Sequence, residues 1–95
     1  MKVSEITADD LSAYIRVDLD ENTEKLLTTL LNSAKEYIKS YTDMDNEEMD
    51  EHEDIVIVVY ILVQDMYDNR TLYVDKTNLN KTVESIINLY RKNLI

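Results

Sequence analysis

Apolar residues recur along most of this chain at the spacing of α-helices, and one stretch dominates the pattern. Residues 55–63 form the longest unbroken apolar run, inside a longer segment that spans 53–70. So many β-branched residues also favour a strand, but the i, i+3, i+4, i+7 spacing of a helix continues past the run. We therefore predict a central helix over 53–70 whose first half is apolar nearly all round, as in helices enclosed by neighbours. The positions that keep this spacing are Ile55, Val58, Val59, Leu62, Val63, Met66 and Tyr67.

Three other segments predict helices that pack against the central one. They are a short helix over about 8–16, a long antiparallel helix over about 22–42, and a C-terminal helix that ends at about residue 92. Each follows a polar residue whose side chain can accept from free backbone amides of the first turn. The candidate N-caps are Thr7 for the first, Asp20 or Asn22 for the second, and Asn78 or Asn80 for the last. The apolar row of the long helix is Leu26, Leu27, Leu30, Leu31, Ala34, Tyr37, Ile38 and Tyr41.

Two segments between the helices lack a helical apolar pattern. Residues 43–54 hold eight carboxylates in twelve positions and predict a solvated acidic connector, helical towards its end. Residues 71–80 predict either a loop or a brief strand that pairs with another copy. The sequence thus predicts one all-α domain, 1–95, a small bundle of four helices joined by an acidic connector.

Composition narrows the fold and the function. The chain contains no Gly, Pro or Cys, so positive-φ turns must use Asn or Asp, and Gly-rich phosphate loops are excluded. Without Cys there is no disulfide, thiolate zinc site or cysteine nucleophile. The net charge of −10 argues against direct binding of this chain to the phosphate backbone of DNA. No segment has the length and apolarity of a membrane span, and the first residues lack the apolar core of a signal peptide, so we expect a cytoplasmic protein with no membrane partner.

The candidate chemistry is sparse. Among the carboxylates of 43–54, Glu48 stands where a calcium loop requires Gly. His52 is the only histidine, and a di-iron helix pattern needs two Glu-x-x-His pairs, whereas residue 49 is Met. We therefore predict no catalytic, metal-binding or cofactor-binding residue, and a protein that is not an enzyme.

Charge is unevenly distributed along the sequence. Residues 1–69 carry 18 acidic and 5 basic side chains, a net charge of −13, whereas residues 70–95 carry 2 acidic and 5 basic ones, a net charge of +3. Such asymmetry suits head-to-tail contacts between copies, which close into rings when the rotation permits.

The order of these features resembles a known family. The resemblance rests on four motifs, Ile6-Thr-x-x-Asp-Leu-x-x-Tyr-Ile-Arg-Val-Asp18, Ala34-Lys-Glu-Tyr-Ile38, Tyr67-Asp-Asn-Arg70 and Val83-x-x-Ile-Ile-x-x-Tyr-Arg91. Together they resemble the small head-tail connector proteins of tailed bacteriophages, often described as DNA-packaging proteins. The chain departs from the family pattern at Asp43, where Gly is common, and at Leu79-Asn80-Lys81, where the family has a Pro-Gly-like turn.

The resemblance implies a structural role. It implies a helical subunit that forms a homo-oligomeric ring at the portal vertex in the virion neck, assembled in the host cytoplasm, and extends the DNA channel. Its partners would be further copies, the portal protein and a tail-completion or stopper protein, while DNA passes through without specific binding. An alternative from the composition is an acidic phage inhibitor or DNA mimic, whose carboxylates in 43–54 would bind a basic host protein.

The connector hypothesis selects interface residues rather than catalytic ones. Basic side chains near the helix ends would contact a neighbour or the portal, and two aliphatic residues would form a docking tail. Two isoleucines off the buried row of the central helix would be covered by the next copy in the ring. The candidates are Arg70, Arg91 and Lys92 for the basic contacts, Leu94 and Ile95 for the tail, and Ile57 and Ile61 for the covered face.

Overall fold

A computed structural model describes residues 1–91 of the chain, and these residues form an all-α bundle. A 3-10 turn over Val3–Glu5 precedes five α-helices in the described part of the chain, and residues 71–80 form a loop without a strand. The all-α prediction is confirmed. The structure adds one helix to the four predicted ones, a short helix inside the acidic connector. The helices are α1 (Ala8–Ile15), α2 (Glu21–Thr42), α3 (Asn46–Asp50), α4 (Asp54–Asn69) and α5 (Lys81–Leu89).

Short polar side chains define where the helices begin. Thr7 caps α1 in a capping box, in which its hydroxyl accepts from the Asp10 amide and the Asp10 carboxylate accepts from the Thr7 amide. Of the alternatives left open by the sequence, Asp20 caps α2 and Asn80 caps α5. At the other end, α5 stops at Leu89 and not near residue 92 as predicted.

Three helices end in a left-handed residue, and two of these residues are arginines. Arg16, Asp43 and Arg70 have φ values of 68°, 62° and 58°. The expectation that Asn or Asp would fill such positions is correct only at Asp43. In each case the left-handed residue donates its amide back to a carbonyl of the last helical turn. In a chain without glycine, an arginine there has a compensating advantage, because its positive charge suits the negative end of the helix dipole.

Helix α4 lies at the centre of the bundle and packs against α1, α2 and α5. The first half of α2 meets the second half of α4, where Leu26 and Leu30 share a cleft with Met66, so the two long helices are antiparallel, as predicted. The end of α5 meets the start of α4, where Tyr90 binds Asp54. Helices α2 and α5 therefore run in the same direction on either side of the loop 71–80.

The predicted core row of α4 is confirmed. Six of its seven positions are buried, Tyr67 is half-buried, and Val56 is buried in addition. In α2 the predicted row is buried or half-buried except for Leu26, which is 37% exposed. Leu26 lies in the second turn of α2 and lines an open cleft, whose residues outside α2 come from the end of α4 and from the turn at residues 70–72.

The acidic connector is less solvated than predicted. Met44 and Met49 are 5% and 1% exposed and belong to the core. Helix α3 packs against the 3-10 turn at the start of the chain, and Asp45 caps it by accepting from the Glu48 amide. The two methionines thus pull the segment onto the bundle while most of its carboxylates face solvent.

None of the helices in residues 1–91 combines the length and the apolarity needed to cross a membrane.

Candidate functional site

The candidate functional surface consists of exposed apolar and basic side chains, which lie in three regions of the bundle. The first is the outer face of α4. Ile57 is 50% exposed between buried neighbours, whereas Ile61 is half-buried and packs against the core. The structure therefore leaves Ile57 open to a partner and covers much of Ile61 within the subunit.

An aromatic stack flanks this face of α4. The rings of Tyr14 and Tyr60 are 5.0 Å apart and nearly parallel, at 13°, and the Tyr60 hydroxyl donates to the Met1 sulfur at 3.4 Å. Burial raises the pKa of Tyr60, and the nearby carboxylate of Asp10 raises it further. The stack holds α1 against α4, and Tyr14 remains 44% exposed.

The second region is a cleft at the far end of α4, which we call the Arg70 cleft. Its volume is about 220 Å³. Arg70 is exposed and forms no ion pair within the described residues. The cleft thus combines an apolar lining with one uncompensated positive charge. Its lining residues are Leu26, Leu30, Met66, Tyr67, Arg70, Thr71 and Leu72.

The third region is an open groove of about 1190 Å³ between α2, α5 and the loop 71–80, which we call the tyrosine groove. The guanidinium of Arg91 lies 5.1 Å from the centre of the Tyr41 ring, and the Lys76 ammonium lies 6.0 Å from that of Tyr37. These are cation–π distances. Burial raises the pKa of Tyr37, with smaller contributions from Tyr41 and Glu84.

The groove places basic and acidic residues side by side. Arg91 and Asp43 line it together, and so do Lys76, Asp75 and Glu84. The charge asymmetry along the sequence is therefore not a simple separation in space, because part of the basic C-terminal region lies beside the acidic segment of the same chain.

A polar cluster ties the end of α5 to the start of α4. The Tyr90 hydroxyl lies 2.9 and 2.7 Å from the two Asp54 carboxylate oxygens, and the His52 ring lies 4.4 Å from the Tyr90 ring. The hydrogen bond to Asp54 is the main cause of the raised pKa of Tyr90. His52 thus lies against an aromatic ring and takes part in a packing contact.

Among residues 1–91 there is no group of three or more His, Cys, Asp or Glu side chains placed to hold a metal ion.

One carboxylate of the acidic connector makes a long-range tie. The Ser4 hydroxyl and the Ser4 amide donate to Asp50 at 2.7 and 2.9 Å. These two bonds are the main reason that the pKa of Asp50 lies below its ordinary value. The tie fixes the start of the chain to α3.

The Ser4 tie makes a pH-dependent contribution to stability. Because the folded pKa of Asp50 is lowered, the tie is fully effective above the ordinary carboxyl pKa of about 4 and is lost as pH falls through the folded value. Ser4→Ala should lower the midpoint of thermal unfolding at pH 7, and the difference from the parent should shrink towards pH 3. Ser85→Ala is the control, since Ser85 is exposed and its hydroxyl has no partner within the described residues. A difference that is independent of pH would contradict the assignment.

The structure brings the predicted interface residues to separate places. Ile57 lies on the outer face of α4, Arg70 at the cleft and Arg91 in the tyrosine groove. The predicted residues Lys92, Leu94 and Ile95 lie outside the described residues.

Sequence reasoning assigned no site to several exposed apolar residues. Leu72 and Tyr73 are 58% and 67% exposed, and Leu89 is 76% exposed. Three apolar residues in succession, Leu72 to Val74, in a largely polar loop were the available signal for the first pair. Leu89 lies opposite the buried row of α5, and its off-row position was the signal there.

Comparison of the chain with family models, with curated proteins and with solved structures finds no match.

Proposed function

We propose that this chain is a structural subunit of the head-tail junction of a tailed bacteriophage, which assembles as a ring on the portal and extends the DNA channel. The sequence motifs that resemble the head-tail connector family support this proposal. The observation that carries it in the structure is the exposure of Ile57, which leaves half of an isoleucine in water in the first turn of the most apolar helix. A neighbouring copy that covers this position would remove that surface from water.

The charge of the chain also supports the proposal. With a net charge of −10, the subunit repels a DNA duplex, so DNA can slide through a ring of such subunits without being held. Glu47 in α3 and Glu51 directly after it are exposed, and their carboxylates provide repulsion of this kind if the ring turns them towards the channel.

Affinity capture tests the proposed partners. The tagged protein should retain portal or tail-completion protein from a lysate of cells that produce the phage. If the protein is instead an acidic DNA mimic, the tagged protein should retain a basic DNA-binding protein from a lysate of uninfected host cells. Ile57→Asp serves as the paired variant, because it should weaken ring assembly and leave the carboxylates of α3 unchanged. The proposal would be overturned if the parent and Ile57→Asp retained a host DNA-binding protein equally and neither retained portal or tail-completion protein.

A further inference from the structure

The Arg70 cleft has the chemistry of a receptor for an acidic, leucine-bearing loop. Leu26 and Leu72 are 37% and 58% exposed at this cleft, so apolar surface remains uncovered there. Arg70 adds a charge with no ion-pair partner in the described residues. A ligand that satisfies both features must bring an aliphatic side chain with a carboxylate next to it.

The chain itself carries one loop of that kind. Eight large apolar residues are exposed in the described part of the chain, and Leu19 is the one flanked by carboxylates on both sides. It is 37% exposed and does not line the cleft of its own chain. Asp18 precedes it and forms no ion pair within residues 1–91.

The loop is held in place before any contact is made. Asp20 accepts from the Thr23 amide at 2.8 Å as the cap of α2, and Val17 packs against the core. The Leu19 side chain is therefore presented between two anchored residues. A contact formed by an ordered loop loses less conformational entropy than one formed by a mobile loop.

We propose that Leu19 of one copy inserts into the Arg70 cleft of a second copy, where Asp18 pairs with Arg70. This inference rests on the proposed function, because it specifies which surfaces meet between neighbouring subunits. The two surfaces differ, so the contact is heterologous and its repetition by a fixed rotation gives a ring or an open chain. One side chain and one ion pair form a small contact, and we expect weak association of isolated subunits.

Disulfide trapping tests this contact, and the absence of Cys from the chain makes it unambiguous. Leu19→Cys and Leu72→Cys both alter exposed residues, so each variant should fold. When equal amounts are mixed and oxidised, the mixed dimer should exceed either homodimer several-fold, because insertion brings the two side chains within disulfide distance. A mixed dimer at only about twice the yield of either homodimer, which is the statistical result of random collision between equal amounts, would overturn the proposal.

Charge reversal tests the ion pair separately. Arg70→Glu in the Leu72→Cys chain should reduce the mixed dimer several-fold, and Asp18→Lys in the Leu19→Cys chain should restore it. Lys81→Glu is the matched control, since Lys81 is exposed at the start of α5 and does not line the cleft, and it should leave the yield unchanged. An equal reduction by Arg70→Glu and Lys81→Glu would assign the effect to net charge and contradict the pairing.

The outcome is separable from that of the proposed function. If subunits still add to the portal while the mixed dimer stays at the twofold excess of random collision, the ring exists and this contact is wrong. If the mixed dimer forms efficiently and no subunit adds to the portal, the contact is supported and the connector function is wrong.

Discussion

Leu62→Asp should abolish the cooperative unfolding transition of the isolated subunit. Leu62 is 2% exposed at the centre of α4, and an aspartate there would have to ionise in the core or remain protonated without a partner. Either state costs several kcal/mol. A domain of this size has a total stability of about 5–15 kcal/mol, so little of it would remain. Far-ultraviolet circular dichroism during heating measures the result.

Ile57→Asp should leave the subunit folded but prevent its assembly on the portal. Ile57 is 50% exposed and lies in the first turn of α4, where a negative charge suits the helix dipole. The free energy of unfolding of the variant should lie within about 1 kcal/mol of that of the parent, while assembly on the portal is lost. Thr28→Asp is the control, because it adds the same charge at an exposed position of α2 and should impair neither property.

Ile61 is the less decisive of the two predicted interface isoleucines. It is half-buried and packs against the core, so Ile61→Asp should weaken both folding and assembly. If Ile57→Asp unfolds the subunit as fully as Leu62→Asp does, α4 is only a core element and its outer face has no separate role.

Leu30→Ala should give the second-largest loss of stability. Leu30 is fully buried between α2 and α4, and removal of its side chain leaves a cavity that the antiparallel pair cannot close without moving a helix. Losses of about 2–5 kcal/mol are typical of such sites. Chemical denaturation at neutral pH measures the change in the free energy of unfolding.

The same substitution at Leu26 provides the comparison. Leu26 belongs to the same helix and is 37% exposed, so Leu26→Ala should cost well under half as much. Equal losses at the two positions would mean that the burial pattern of α2 is wrong.

The helices could be predicted because their signals are local. The spacing of apolar residues in α4 and the caps at Thr7 and Asp20 depend only on neighbours in sequence. The same reasoning failed where distant segments decide the outcome. Met49 is buried in α3, which packs against the start of the chain, and Met44 belongs to the same core. No periodicity in the acidic segment indicates this.

Helix ends without glycine were also poorly predicted. Arg16 and Arg70 adopt left-handed conformations because the chain must turn there, and composition alone favoured Asn or Asp. The candidate surface was predicted only in part for a related reason. Ile57 could be identified from its position off the buried row, but the Arg70 cleft depends on how α2, α4 and the turn after α4 meet.

Electron microscopy of the purified subunit mixed with the portal protein of the same phage tests the central claim most directly. We expect a ring of additional density on one face of the portal with the parent protein, and its absence with Ile57→Asp. Native mass spectrometry of the subunit alone, at low and high salt, serves as the companion measurement, since the ring can require the portal as its template. A bare portal with the parent protein, together with a monomer at every concentration and salt, would contradict the account.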